Sequence, residues 1–207
     1  IWIDRRRFSK FLARFLREGS LDLMPKRSND SGAEARLTHL YTSLMTRAVA
    51  TGALVATALD LPLVAWEDIH ETGGIYLDNE DAWLRVGQPG RNRSYFHERY
   101  PDLQLPLTLG NAGWWNRPFE EREQRPARAE KFLIELLLRH GGRDDRVAII
   151  SHGGFYNYLL RAIFKIGRDD CWFGLNNAAI TRIDFHGEGV DLVYTNRLDF
   201  LPRELVT

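Results

Sequence analysis

Apolar residues recur at helical spacing in four stretches of the chain. Phe8, Phe11, Leu12, Phe15 and Leu16 share one face and Gly19 closes the run, which predicts an amphipathic helix over 5–18. Leu44, Ala48, Thr51, Val55 and Leu59 predict a helix over 44–59, stopped by Pro62. Ala129, Phe132, Leu133, Leu136 and Leu137 predict one over 125–140, ended by Gly141-Gly142. Gly153-Gly154 opens a last helix over 155–166. Short apolar runs at 37–42 and 63–66 read as strands, and 146–150, apolar on both faces between turn residues, reads as a central parallel strand. Two further strands, 178–185 and 190–196, are joined through His186-Gly187-Glu188-Gly189 as a hairpin.

Two regions break the pattern. Residues 21–36 carry no period, and Ser28-Asn29-Asp30-Ser31-Gly32 reads as a loop. Residues 70–124 are an irregular run of Gly, Pro, Trp and Arg, too long for a plain connection and expected to form a lid over a site. The alternation of strand and helix predicts a single α/β domain over 1–207. Its form is a three-layer sandwich with a mostly parallel central sheet flanked by helices, carrying 70–124 as a lid insertion.

Composition narrows the partners. Lys and Arg total 28, as do Asp and Glu, so there is no net field to favour nucleic acid or an anionic membrane, and neither is expected as a partner. Of the cations 24 are Arg, suited to forked contacts with phosphate or carboxylate, although genome composition accounts for that excess equally well. A single cysteine, Cys171, excludes an intrachain disulfide framework and Cys-based zinc sites, and with no targeting or membrane-spanning run the expected compartment is the cytoplasm.

Three segments could carry chemistry. Val147 to Asn157 places His152 where a buried strand meets a helix, the edge at which open α/β sheets bind ligands, and Gly153-Gly154 lets backbone N–H groups approach an anion. Tyr41-Thr42-Ser43 ends a strand, and Arg47 follows one turn later, within reach of the same edge. Trp66 to Gly74 holds three acids and a histidine after another strand; a carboxyl group sheltered from water there would suit general acid work. Singly, each has a bland reading: a tight turn, a surface arginine, solvated loop acids.

Together they resemble the histidine phosphatase superfamily, the phosphoglycerate mutase-like group, over about 37–196. Its Y-x-S-x-x-x-R-A segment, its Glu before a Gly-rich loop and its S-H-G-G strand end occur here in order as Ser43 to Arg47-Ala48, Glu71 with Gly73-Gly74, and Ser151-His152-Gly153-Gly154. The run Asn176 to Thr181 is also similar to the family's usual sequence at that point. The resemblance implies phosphoryl transfer through a phosphohistidine, with no metal or other cofactor. Arg47 would clamp phosphate, Glu71 would be the acid with Glu67 as fallback, and His152 the second phosphate-pocket histidine; Ser43, Gly153 and Trp114 would line the substrate site. The expected substrate is a small phosphorylated metabolite. A phosphatase is favoured over a mutase because the lid, with Trp83, Tyr95, Phe96, Trp114 and Trp115, is apolar and irregular. A homodimer is left open.

One departure stands out. The family's nucleophile belongs to an R-H-G motif at the end of a first strand, and none precedes Tyr41; Arg139-His140-Gly141 ends a predicted helix and reads as a chance match. With Ile at position 1 and only Met24 and Met45 in the chain, the expectation is that the R-H-G strand lies outside this sequence, which would leave the sheet short of a central member. The rivals are a member that binds phosphorylated ligands without turnover and, remotely, an α/β-hydrolase, which the absence of G-x-S-x-G disfavours.

Overall fold

The computed structural model describes residues 36–79, 84–167, 170–187 and 189–206. The expected helix over 5–18, the loop at 28–32 and Trp83 lie outside them. Four strands make the central sheet: β1 (His39–Thr42), β2 (Leu63–Ala65), β5 (Leu103–Gln104) and β6 (Val147–Ile150), in the order β5-β2-β1-β6. All three pairings are parallel, with Leu40 opposite Leu63 and Ala148, and Thr42 opposite Ala65 and Ile150. That register brings the carboxyl ends of β1 and β6 level, so Ser43 and His152 leave the sheet side by side.

Helices cover both faces, as a parallel sheet requires. The helix α1 (Thr46–Leu59) buries Ala48, Val49, Gly52 and Val55, and it ends where Asp60 turns left-handed at φ 54° before Pro62. Its face packs with Leu40, Leu44 and Leu63 into one core cluster. The helices α3 (Gln124–His140) and α4 (Gly153–Phe164) close the other face, where Phe132 and Phe155 meet Tyr41, Trp66 and Ile69. Along β1, Leu40 therefore faces one layer and Tyr41 the other, which is the period-two pattern of a strand buried on both sides.

The 70–124 segment is more ordered than its sequence suggests. It contains the hairpin β3 (Tyr76–Asn79) with β4 (Leu84–Gly87), the helix α2 (Arg93–Arg99) and β5, which extends the central sheet beside β2. Asn92 caps α2 through a bond from the Tyr95 N–H. Trp114, Trp115 and Phe96 of this segment are buried in the core. The irregular spacing arises because short elements and turns alternate faster than any single period can register.

Two expectations change at the other side of the sheet. Val147 to Ile150 was expected to be central, yet among the described residues β6 is the sheet's edge, and all four of its residues are half-buried. The hairpin of β7 (Ile180–His186) and β8 (Gly189–Arg197) forms as expected but does not pair with β6. A cleft of about 1790 Å³ is lined by both β6 and β7, with α1 and α4 contributing to its walls. Leu137, expected in the buried face of α3, lines this cleft and is 40% exposed.

Candidate active site

Four of the residues singled out by sequence converge at the carboxyl edge of β1 and β6. His152 precedes α4 in extended backbone, and its Nε2 lies 2.7 Å from Ser43 Oγ. Arg47, the second residue of α1, donates from Nε to His152 Nδ1 at 3.2 Å. Since the guanidinium can only donate, Nδ1 is the lone-pair nitrogen and Nε2–H points at Ser43. Ser43 Oγ also accepts the Met45 N–H at 3.2 Å, so the serine sets the start of α1 and the imidazole plane together.

His152 is neutral at pH 7. Burial pushes its pKa down to about 3, and the positive charge of Arg47 adds to the effect. An imidazole held neutral beside a guanidinium is poised for an anion: a phosphate dianion between them would cancel the repulsion from Arg47 and restore the proton to His152.

Glu71 sits opposite. Its Oε1 accepts from the Thr72 N–H at 2.9 Å, from Thr72 Oγ1 at 3.4 Å and from the Phe155 N–H at 3.3 Å. Phe155 N–H is one of the unpaired donors of the first turn of α4, so the carboxyl group is seated on a helix N-terminus. Its Oε2 is the oxygen turned to Arg47, 4.0 Å from Nη2. The expected sheltering of this acid from water differs in kind, since its side chain is 29% exposed and held by backbone donors, not by aromatic walls. Glycine is required at 154: a Cβ there would stand 2.3 Å from Glu71 Oε1 and 2.4 Å from Thr72 Oγ1. At Gly153 a Cβ would meet nothing within 4 Å, which leaves the first turn of α4 open to a ligand.

The loop that carries Glu71 is fixed from behind by residues the sequence did not single out. Arg128 of α3 forks onto Glu120, with Nη2 2.8 Å from Oε2, and its Nη1 donates to the carbonyls of Asp68 and His70 at 2.6 and 3.1 Å. Glu120 Oε2 also accepts the Gly73 N–H at 3.1 Å. Ser151 Oγ donates to the Ile69 carbonyl at 2.7 Å, joining the same loop to the end of β6. Gly73 and Gly74 take φ values of 87° and 77°, and Gly74 lies flat against the Trp115 ring. A buried Arg facing a Glu eight residues earlier has no periodic signature, and in a stretch as charged as 120–131 nothing sets these two apart.

The remaining candidates fall elsewhere. Trp114 is 5% exposed within the core, packed against Trp115 and His70. Glu67 lies in a 3-10 turn (Glu67–Ile69), where its Oε1 is 3.4 Å from Thr108 Oγ1. His70 is 1% exposed with burial pushing its pKa down to about 3; its Nδ1 donates to the Glu71 carbonyl at 2.8 Å while Nε2 has no partner. His140, of the Arg139-His140-Gly141 match, ends α3 at the opposite edge of the sheet. No helix among the described residues is long and apolar enough to cross a membrane.

Known proteins resemble this chain in sequence and in fold. Residues 26–197 match the histidine phosphatase superfamily (branch 1). A curated protein of Hydrogenobacter thermophilus, "Putative phosphoserine phosphatase 2", is 25% identical over 167 residues, covering 77% of this chain and 72% of its own. Among solved structures, Bacillus stearothermophilus YhfR superposes with a TM-score of 0.57 at 17% identity, covering 95% of this chain and 85% of that one. A mycobacterial glucosyl-3-phosphoglycerate phosphatase complexed with VO3 gives 0.56 at 15% identity, covering 91% and 83%. A phosphoserine phosphatase mutant from Entamoeba histolytica, in complex with phosphoserine, gives 0.53 at 13% identity, covering 95% and 83%. With the family matched over most of its length and the shared fold under it, the chain belongs to the histidine phosphatase superfamily and is an enzyme of the histidine-phosphatase type.

Proposed function

We propose that this protein hydrolyses small phosphomonoesters through a phosphohistidine, without a metal in the phosphoryl step. The observation that carries the reading is the bond from Arg47 to a neutral His152, beside Glu71, at one sheet edge. Phosphoryl transfer asks chiefly for in-line positioning and for donors on the equatorial oxygens, which cationic side chains can supply. Arg47 and His152, which takes up a proton from solvent in the field of the arriving dianion, hold those oxygens. The N–H groups opening α4 add to the cradle. Glu71 gives its proton to the leaving oxygen as the bond to phosphorus breaks, and takes one back from the water that hydrolyses the phosphohistidine.

A strand lying in the cleft along β6 would bring an attacking histidine at its carboxyl end beside His152. The half-buried edge of β6 and the apolar face of β7 support this placement. His70 is no substitute, because at 1% exposure a phosphate cannot reach it. The names of the relatives, phosphoserine and glucosyl-3-phosphoglycerate phosphatases, support a small hydroxyl metabolite as the alcohol part.

One observation favours a second reading, a binder without turnover: among the described residues no histidine besides His152 is both at this edge and open to a ligand. A single assay separates the two. Release of phosphate from p-nitrophenyl phosphate in EDTA, with acid-labile and alkali-stable label trapped on the protein, is expected. Tight vanadate binding with no release and no trapped label would establish the binder, and interconversion of phosphoglycerates with negligible release would establish a mutase.

A further inference from the structure

One cluster of metal-ligating side chains stands apart from the phosphate edge. His39 opens β1, His140 closes α3 and Asp145 stands in the turn into β6, so two stretches distant in sequence meet at the amino edge of the sheet. One ring nitrogen from each histidine and one carboxylate oxygen lie within 4.8 Å of one another. His140 Nδ1 is 2.9 Å from Asp145 Oδ2, His39 Nδ1 is 4.0 Å from Oδ1, and the two imidazoles meet edge-on at 4.6 Å between centroids.

We propose that His39, His140 and Asp145 form a site for a zinc-class divalent cation, with water in the fourth position. Two imidazoles and one carboxylate are the donor set borderline metals take. Ligand atoms around a tetrahedral zinc sit about 3.4 Å apart, as bonds of about 2.0–2.1 Å dictate. The widest separation, within 4.8 Å, therefore closes by up to about 1.4 Å while the His140–Asp145 pair at 2.9 Å opens slightly, and His39, with 41% of its side chain exposed, stands at the open side of the cluster. The His140 ring already has the outer partner that orients a metal-binding imidazole, since Tyr41 Oη lies 3.0 Å from its Nε2 while Nδ1 faces Asp145. When His140 Nδ1 gives up its proton to bind metal, Nε2 takes one and donates it to the tyrosine oxygen, which can reverse from donor to acceptor. Of the neighbouring cations, Arg143 acts on Asp145, and Arg146 is turned to Asp144 at 3.7 Å. Such an ion would pin the start of β1 to the end of α3 and the approach to β6, independently of the phosphoryl chemistry at the other edge.

Titration of EDTA-stripped protein with Zn²⁺, followed calorimetrically, and with Co²⁺, followed by visible ligand-field absorption, tests this. One equivalent should bind with micromolar affinity, and Co²⁺ should give the intense bands of a tetrahedral site. His140→Gln and Asp145→Asn should each weaken binding at least tenfold, and His152→Ala should leave it unchanged. Should His140→Gln fail to fold, His39→Ala, at an exposed position, is expected to show the same tenfold loss with an unaltered circular dichroism spectrum. No saturable binding below millimolar metal, equal affinity in these variants, or loss of binding in His152→Ala instead would each overturn the proposal.

Discussion

Arg47 Nε donates a hydrogen bond to His152 Nδ1 at 3.2 Å, so a permanent cation is bonded to an imidazole that is itself uncharged. The pair is complementary to something neither residue supplies, a group with negative charge on more than one oxygen. Arg47→Lys should lose most of the function of this pair, because a point ammonium cannot bond the imidazole and fork an anion together. We expect kcat/KM for p-nitrophenyl phosphate to fall by about 10²–10³, the usual cost of one transition-state donor, with vanadate affinity falling in parallel. A lysine variant within a few-fold of the parent would remove Arg47 from the phosphate pocket.

Glu71→Gln keeps the size of the side chain and can keep its bonds to Thr72 and Phe155, but it cannot donate a proton as an acid does. The loss should therefore depend on the leaving group. Alkyl phosphates, whose alkoxides need the proton, should slow by about 10²–10⁴, and p-nitrophenyl phosphate by much less. A uniform loss across leaving groups, read from kcat on both substrate types, would show that Glu71 only positions.

Neighbouring glycines should respond differently. Gly154→Ala forces a methyl group against Glu71 Oε1 and Thr72 Oγ1, so kcat should drop with displacement of the acid. Gly153→Ala meets open space, so the thermal midpoint should hardly move, while KM rises if phosphate approaches the first turn of α4 closely. Equal stability and equal activity in both variants would contradict the seating of Glu71 on that helix.

Acid should unfold this protein early. His70 and His152 have pKa values pushed down to about 3 in the fold, whereas an unfolded histidine titrates near 6.5. Between those values the unfolded chain binds more protons, so stability is present above about pH 6.5 and is lost as pH falls toward 3. Two such groups set an upper slope of about 2.7 kcal/mol per pH unit. Urea midpoints between pH 7 and 4 should show this, and His152→Asn should remove about half of the histidine contribution; a flat profile down to pH 4 would show that neither imidazole is held neutral.

Arg128→Ala leaves the Glu120 carboxylate buried, 6% exposed, without its main partner. A loss of about 3–5 kcal/mol is expected in denaturant unfolding. Arg128→Ala with near-parental stability would mean that the pair is solvated.

The helices and strands with one clean period were legible in the sequence because burial of one face imposes that period directly. The strand expected at 63–66, the helix at 125–140 and the terminal hairpin appear within a residue or two of their expected limits. Ser43, Arg47, Glu71 and His152 were found because an ordered set of motifs carries more information than any one residue. What was hidden depends on contacts across the chain. The burial of Trp114 is set by partners such as His70 and Trp115, and β6 lies at an edge among the described residues because position in a sheet is a property of neighbours, which no single strand encodes. Arg128 is one of many charges on α3 in the sequence, and only its fork onto Glu120 distinguishes it.

That arginine also fixes an order of events. The carbonyls it holds, those of Asp68 and His70, lie 60 and 58 residues earlier in the chain. The loop bearing Glu71 therefore has no means of reaching its final shape until α3 has been synthesised and has docked across the sheet. Closing contacts of such sequence separation costs more chain entropy than forming the local helices. The acid of this site is thus held by a distant part of the chain, and secondary structure alone does not place it.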